Sequence, residues 1–353
     1  MDQVSKIAIV GGGIVGLVTA LELLQLPDVE ITIFDPSPGK GATYAAAGMI
    51  APTAEMRPNE TDSYALQLRA IPAWQEVLGI LQLPPITLQQ VGTLYVGWDA
   101  SDKRQLGQLG NVVRKQGGES SHVDKASHVD LFRGLHPNVS DGLFMPGDAW
   151  LEPDFVVPHL LEELRGRGVR LLEMEVLECT PNGVVRTGQG AEEFAAVVLA
   201  TGAAVLSDRF PATHNTVRPI RGITVFLEST EIWSGPMIRA FIRGRDFYVV
   251  NRGNGTFVIG ASSEEKSTLG VEAGELERLL RDAIELLPFL ETASITTFRR
   301  GLRPASMTND PFLERIDGSK VAYSSGHFRH GVTLAPVTAK ETSHLVQGIL
   351  SEN

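Results

Sequence analysis

A chain of 353 residues is long enough for two domains or for one large interleaved pair. Apolar residues at 43% and charged residues at 21% are ordinary for a soluble globular protein, and no apolar stretch approaches the roughly 18 residues of a membrane span. A formal net charge of -11 without any basic run argues against a nucleic-acid partner, and a single cysteine, Cys179, excludes an intrachain disulfide and suits a cytoplasmic location.

The first element is the apolar run at residues 7–10, IAIV, which predicts a buried strand. Gly11, Gly13 and Gly16 follow with the spacing G-x-G-x-x-G, and a helical pattern continues through Leu17, Ala20, Leu21 and Leu24. Gly11 permits the turn out of the strand, Gly13 lets a pyrophosphate approach the backbone, and Gly16 allows close helix packing. The free N–H groups of the helix start would then face the phosphates. A second strand at residues 29–34 ends at Asp35, where a carboxylate can meet a ribose hydroxyl. These features specify an adenine dinucleotide and leave FAD and NAD both open.

A loop at residues 36–43 leads into the small-residue run Ala45-Ala46-Ala47-Gly48-Met49, suited to backbone lying against a flat ligand. Residues 62–83 predict one amphipathic helix and 88–96 one strand. The polar stretch 98–136 predicts short helices near 103–115 and 129–135, followed by short strands at 142–145 and 149–150. A helix from Pro153 to Arg167, a strand at 169–172, a hairpin turning at Asn182-Gly183 and a buried strand at 194–199 come next. A long strand at 217–227 is followed by strands at 237–242, 246–250 and 256–261 that read as a meander. They precede a helix at 271–287, a short strand at 295–298, a strand at 321–324, a loop at 326–331 and a closing helix at 332–350. No metal site is expected.

With these pieces in place the chain resembles the FAD-dependent D-amino acid oxidase superfamily, and most of all its glycine oxidase branch. The resemblance rests on GGGIVG at 11–16, Asp35, ATYAAAGMIAP at 42–52, VVLATG at 197–202, RPIRG at 218–222, FYVV at 247–250, GLRP at 301–304 and GHFRHG at 326–331. It implies an α/β fold: a Rossmann-type FAD-binding domain (1–88, 148–216 and 300–353) interleaved with an antiparallel-sheet substrate domain (89–147 and 217–299). FAD, held without a covalent bond, would contact Gly11, Gly13, Ile14, Val15, Gly16, Asp35 and Pro36. Further contacts would come from Thr43, Tyr44, Ala46, Ala47, Gly48, Met49, Val176, Thr201 and Gly202. Around the ring would stand Arg303, His327, Arg329, His330, Gly331, Val332 and Thr333. The helix start at Gly331 would favour negative charge on the reduced ring.

The resemblance also implies that Arg303 clamps a substrate carboxylate bidentately, with Tyr248 and Arg329 beside it as the catalytic set and Met49 and Ser263 lining the substrate space. His327 and His330 read as hydrogen-bonded spacers, and no general base is required. The expected reaction is oxidation of an amine C–N bond to an imine that water hydrolyses, with O2 reduced to H2O2. Ser263, Asn251, His330 and residues 307–310 depart from the common pattern around the substrate. That favours an N-substituted glycine over glycine itself, with a D-amino acid or sarcosine-type oxidase, or a dehydrogenase serving a quinone, as alternatives. A homo-oligomer is compatible with the sequence.

Overall fold

The computed structural model describes residues 4–57, 61–204 and 209–352. Residues 1–3 and 205–208, at the edges of the expected cofactor segments, lie outside the described residues. A six-stranded sheet has the order Phe312–Arg315, Val321–Ser325, Ala196–Leu199, Ser5–Val10, Val29–Phe34, Arg170–Leu172. All neighbours are parallel except the first pair. Ile7, Ala8, Ile9 and the whole of Ala196–Leu199 are buried, as a strand covered on both faces requires.

The helix Ile14–Leu23 packs against the closing helix Gly331–Ser351, where Ala335 and Ala339 let the two approach. Trp74 locks a third helix, Ala70–Ile80, to this pair by donating its indole N–H to Val332 O at 2.9 Å. The expected single helix at 62–83 is therefore two, Thr61–Gln67 and Ala70–Ile80, because Pro72 has no N–H to continue the ladder.

A second sheet has eight strands in the order Ser294–Ala305, Arg218–Glu228, Thr256–Gly260, Arg245–Gly253, Met237–Ile242, Thr93–Gly97, Asp141–Met145, Ser121–Asp124. It departs from the antiparallel expectation at one pairing, Met237–Ile242 with Thr93–Gly97, which is parallel. The expected strand at 88–96 is broken at Gly92, which adopts φ +74° and sends Leu88–Gln89 to a small three-stranded sheet and Thr93–Gly97 to the large one. The 129–135 segment is a run of turns with i to i+3 bonds, not a helix, closing at Gly134 with φ +80°. The short strand at 295–298 extends unbroken to Ala305, so it runs through residues 299–300 where the sequence places a domain boundary. The hairpin at Asn182-Gly183 forms as expected and gains an unanticipated third strand, Gly190–Glu193.

One face of the large sheet is covered by the helix Ala273–Leu286, which buries Leu279, Ala283 and Leu286. The other face carries Tyr95, Phe226, Tyr248 and Val258 toward Ala47 and Met49. The cavity described next lies where that face meets the carboxyl ends of the parallel strands, the usual ligand crevice of an α/β sheet.

Candidate active site

A cavity of about 460 Å3 starts at the first strand's end and runs to the large sheet. Gly11 has φ +110°, and a Cβ there would stand 2.1 Å from Ala200 O, so no side chain is tolerated. Gly13 caps the first helix with no side-chain acceptor and no acid in the first turn, leaving its N-terminal field open to an anion. Asp35 ties the turn down: Gly12 N–H donates to its Oδ2 at 2.6 Å and Ser37 N–H to its Oδ1 at 2.7 Å. Thr43 Oγ1 accepts Ile14 N–H at 3.0 Å, which frees its own proton for a ligand.

Across the cavity, Gly331 and Val332 at the start of the closing helix form the opposite wall, again without a side-chain cap. Thr333 turns away and donates to Met49 O at 3.1 Å, fastening that helix to the small-residue run. Thr201, Ser324 and Ser325 line the cavity with buried hydroxyls that have no hydrogen-bond partner among the described residues. Buried orphan hydroxyls, a glycine cradle and two uncapped helix starts together fit a dinucleotide cofactor.

The far end of the cavity is built from charge. Arg303, half-buried on Ser294–Ala305, donates to Ser262 O at 3.0 Å; desolvation lowers its pKa, and Tyr248 and Glu55 oppose that shift. Room for the guanidinium comes from Gly222 on the neighbouring strand, where a Cβ would stand 2.3 Å from it. Tyr248 stays a neutral phenol, pushed up to about 12 chiefly by burial while the charge of Arg303 works the other way. A Cβ on its cross-strand partner Gly260 would meet its hydroxyl at 2.5 Å.

Glu55 also lines this end, a residue to which the sequence assigns no role. Its Oε1 accepts Arg239 Nη1 at 2.6 Å, its Oε2 is 3.4 Å from His330 Nδ1, and its backbone oxygen accepts Arg329 Nη2 at 3.0 Å. Burial works to raise its pKa, yet His330, Arg239 and Arg329 hold the carboxyl well below the usual carboxylate range. A signal was present: Glu55 is a lone charge within the otherwise uncharged stretch from Met49 to Met56. His327 bonds Thr338 Oγ1 at 3.0 Å and is pushed down to about 4 by burial and by the charge of His330, so it stays neutral and fits the spacer reading.

Of the expected residues, Gly11, Gly13, Ile14, Val15, Asp35, Thr43, Ala46, Ala47, Gly48 and Met49 line the cavity. So do Thr201, Gly202, Tyr248, Arg303, His327, Arg329, Gly331 and Val332. Gly16, Pro36, Tyr44, Val176, Ser263, His330 and Thr333 do not. Gly16 lies against Gly11, Tyr44 lies under Arg299 at 4.1 Å, and Val176 is packed in the hairpin sheet. Ser263 is exposed, because the strand ends at Gly260 and the in-out alternation no longer places residue 263. Lys40, Leu269, Arg300 and Leu302 line the cavity unanticipated. Cys179 is buried in the hairpin sheet and does not reach the cavity wall. Among the described residues no helix is long and apolar enough to cross a membrane.

The chain is 27% identical to a glycine oxidase of Bacillus licheniformis over 96% of its own length and 92% of that protein's. It is also 27% identical, over 98% of its length, to a bifunctional ThiO/ThiG protein of Synechocystis, of which it spans about half, 52%. Its fold matches the crystal structure of glycine oxidase from Geobacillus kaustophilus with a TM-score of 0.87 at 23% identity, covering 98% of this chain and 95% of that one. A family model described as FAD dependent oxidoreductase matches residues 6–345, nearly the whole chain. With the glycine turn, the two open helix starts and this match in agreement, the chain belongs to the FAD dependent oxidoreductase family and is an FAD enzyme.

Proposed function

We propose that the enzyme oxidises the C–N bond of glycine or of an N-substituted glycine to an imine, which water hydrolyses to glyoxylate and ammonia or an amine. The observation that carries this reading is the pairing of the half-buried Arg303 and Tyr248 at the end of the cavity that begins at the Gly11 turn. FAD, when bound, supplies the acceptor for the α-hydride and passes the electrons to O2 as H2O2. Arg303 holds the substrate carboxylate through its fork of donors, and the Tyr248 hydroxyl adds a third hydrogen bond. The clamp fixes the direction of the Cα–H bond, so orientation is the main service of the protein. Arg329 and Met49 bound the space for the nitrogen substituent, and Gly222 and Gly260 keep the clamp residues from being displaced. The names of the similar proteins support glycine as a parent structure.

The test is anaerobic mixing of the holoenzyme with glycine, sarcosine, larger N-alkylglycines and D-amino acids, followed by peroxide measurement in air. Bleaching by one N-substituted glycine faster than by glycine is the expected result. Bleaching by D-amino acids alone, or electron transfer to quinone without peroxide, would replace this reading.

A further inference from the structure

A peptide group is flat and trans, so its carbonyl and its N–H point in opposite directions. Whatever grips the carbonyl therefore fixes where the donor is aimed. The small-residue run that lines the cavity is gripped in this way from the large sheet. Arg299 Nη1 donates to Tyr44 O at 3.1 Å, Thr224 Oγ1 to Ala45 O at 3.0 Å and Arg252 Nη2 to Ala47 O at 3.3 Å. The two guanidiniums also meet at Asp154, which accepts Arg299 at 2.7 Å and Arg252 at 3.5 Å, while Glu152 accepts Arg252 at 2.9 Å. The Arg252 side chain is only 5% exposed. Neither arginine lines the cavity, whereas Ala47 and Gly48 do.

The three gripped peptides differ in what their N–H groups do. Ala45 N–H, opposite Tyr44 O, belongs to the helical turn Ala42–Ala45. Ala46 N–H, opposite Ala45 O, donates to Thr43 O at 3.2 Å. Gly48 N–H, opposite Ala47 O, has no acceptor among the described residues, although Gly48 is buried. A buried backbone donor without a partner is rare, and this one belongs to a residue of the cofactor cavity wall.

We propose that Arg252 is a positioning residue that raises the electron affinity of the bound flavin. It aims the Gly48 N–H at the ring, and as a cation on the carbonyl of the same peptide it strengthens that N–H as a donor. A hydrogen bond at one end of a peptide polarises the other end. The reduced ring carries more negative charge than the oxidised one, so a strengthened donor favours reduction. Glu152 and Asp154 bracket the guanidinium and temper its charge. Arg252 thus acts on the cofactor from behind the cavity wall, through a single peptide.

The test is the flavin midpoint potential of the holoenzyme, read by equilibration with a reference dye, beside the dissociation constant for FAD. It needs no amine substrate, so its outcome stands apart from the amine-oxidation reading. In Arg252→Met the equilibrium for two-electron reduction should become about tenfold less favourable, a fall of about 30 mV. Arg252→Lys keeps the charge and should recover most of that loss. Glu152→Gln relieves the guanidinium of an offsetting carboxylate and should move the potential the other way. Glu152 is partly exposed, so this variant tests the inference even if Arg252→Met does not fold. Arg299→Met removes a guanidinium from the same cluster but leaves the Ala47–Gly48 peptide held, so its potential should stay near the wild-type value. A merely structural role for Arg252 would weaken FAD binding and leave the potential unmoved, and that result overturns the inference. An equal shift in Arg299→Met also overturns it, because a bare field would then act without the peptide. So does an unmoved or lowered potential in Glu152→Gln.

Discussion

The two ends of the cavity are built by opposite means. The end at Gly11 and Thr201 is backbone, small side chains and helix starts, and its ligand contacts are N–H groups and hydroxyls. The end at Arg303 is built from ionised side chains: the buried Glu55–Arg239 pair, and the half-buried Arg303 held by Ser262 O. The first kind of site is fixed by local chain geometry and binds whatever carries phosphate at the right spacing. The second is fixed by long-range packing and can change its substrate through a few side chains while the cofactor stays.

This contrast can be broken at either end. Gly11→Val should abolish cofactor binding outright, since the Cβ would enter Ala200 O; protein purified without flavin absorbance is the expected result. Arg303→Leu should do the reverse, retaining flavin while kcat/KM falls by about a thousandfold through loss of two charge-assisted hydrogen bonds. Flavin loss in that variant would show that the two ends are not separable.

A third change sharpens the contrast from outside the cavity. Arg221, buried on Arg218–Glu228, donates from Nη2 to both Glu275 oxygens at 2.6 and 2.7 Å and from Nη1 to Gly270 O. It fastens the segment whose Leu269 reaches the cavity wall. Arg221→Met leaves Glu275 as an unpaired buried charge and should lower stability by about 3 to 5 kcal/mol, seen in the thermal midpoint. Glu275→Gln in the same background should restore part of it.

The smallest effect concerns His327, at the seam of the two ends. Its folded pKa of about 4 lies below its ordinary 6.5, so between those values the unfolded chain binds more protons. The stability contributed is present above pH 6.5 and lost as pH falls toward 4, about 3 kcal/mol in all. Denaturant midpoints measured across that window should fall in the wild type and flatten in His327→Gln.

The same contrast explains what can be read from sequence. Gly11, Gly13, Gly16 and Asp35 act through spacing along a continuous strand-turn-helix-strand, so their roles are legible in the order of the residues alone. Arg303 and Tyr248 are reached through resemblance, because an arginine or tyrosine on a strand carries no signal by itself. Gly222 and Gly260 are not readable: their purpose is to leave space for Arg303 and Tyr248, and only strand register brings them there. Glu55 depends on Arg239, 184 residues later, and on His330, so its burial as an ion does not follow from its neighbours. Ser263 is misplaced by sequence because a pattern valid within Thr256–Gly260 does not carry past the strand's end.

The docking of the closing helix on the opening one has a consequence for how the protein is made. Val321–Ser325 is an interior strand of the six-stranded sheet, and the helix after it forms one wall of the cofactor cavity. The glycine turn therefore waits for a segment about 320 residues further along the chain before it can close around FAD. Flavin retention then reports that synthesis has passed the closing helix, and chains cut short before Gly331 should emerge colourless and open to proteolysis.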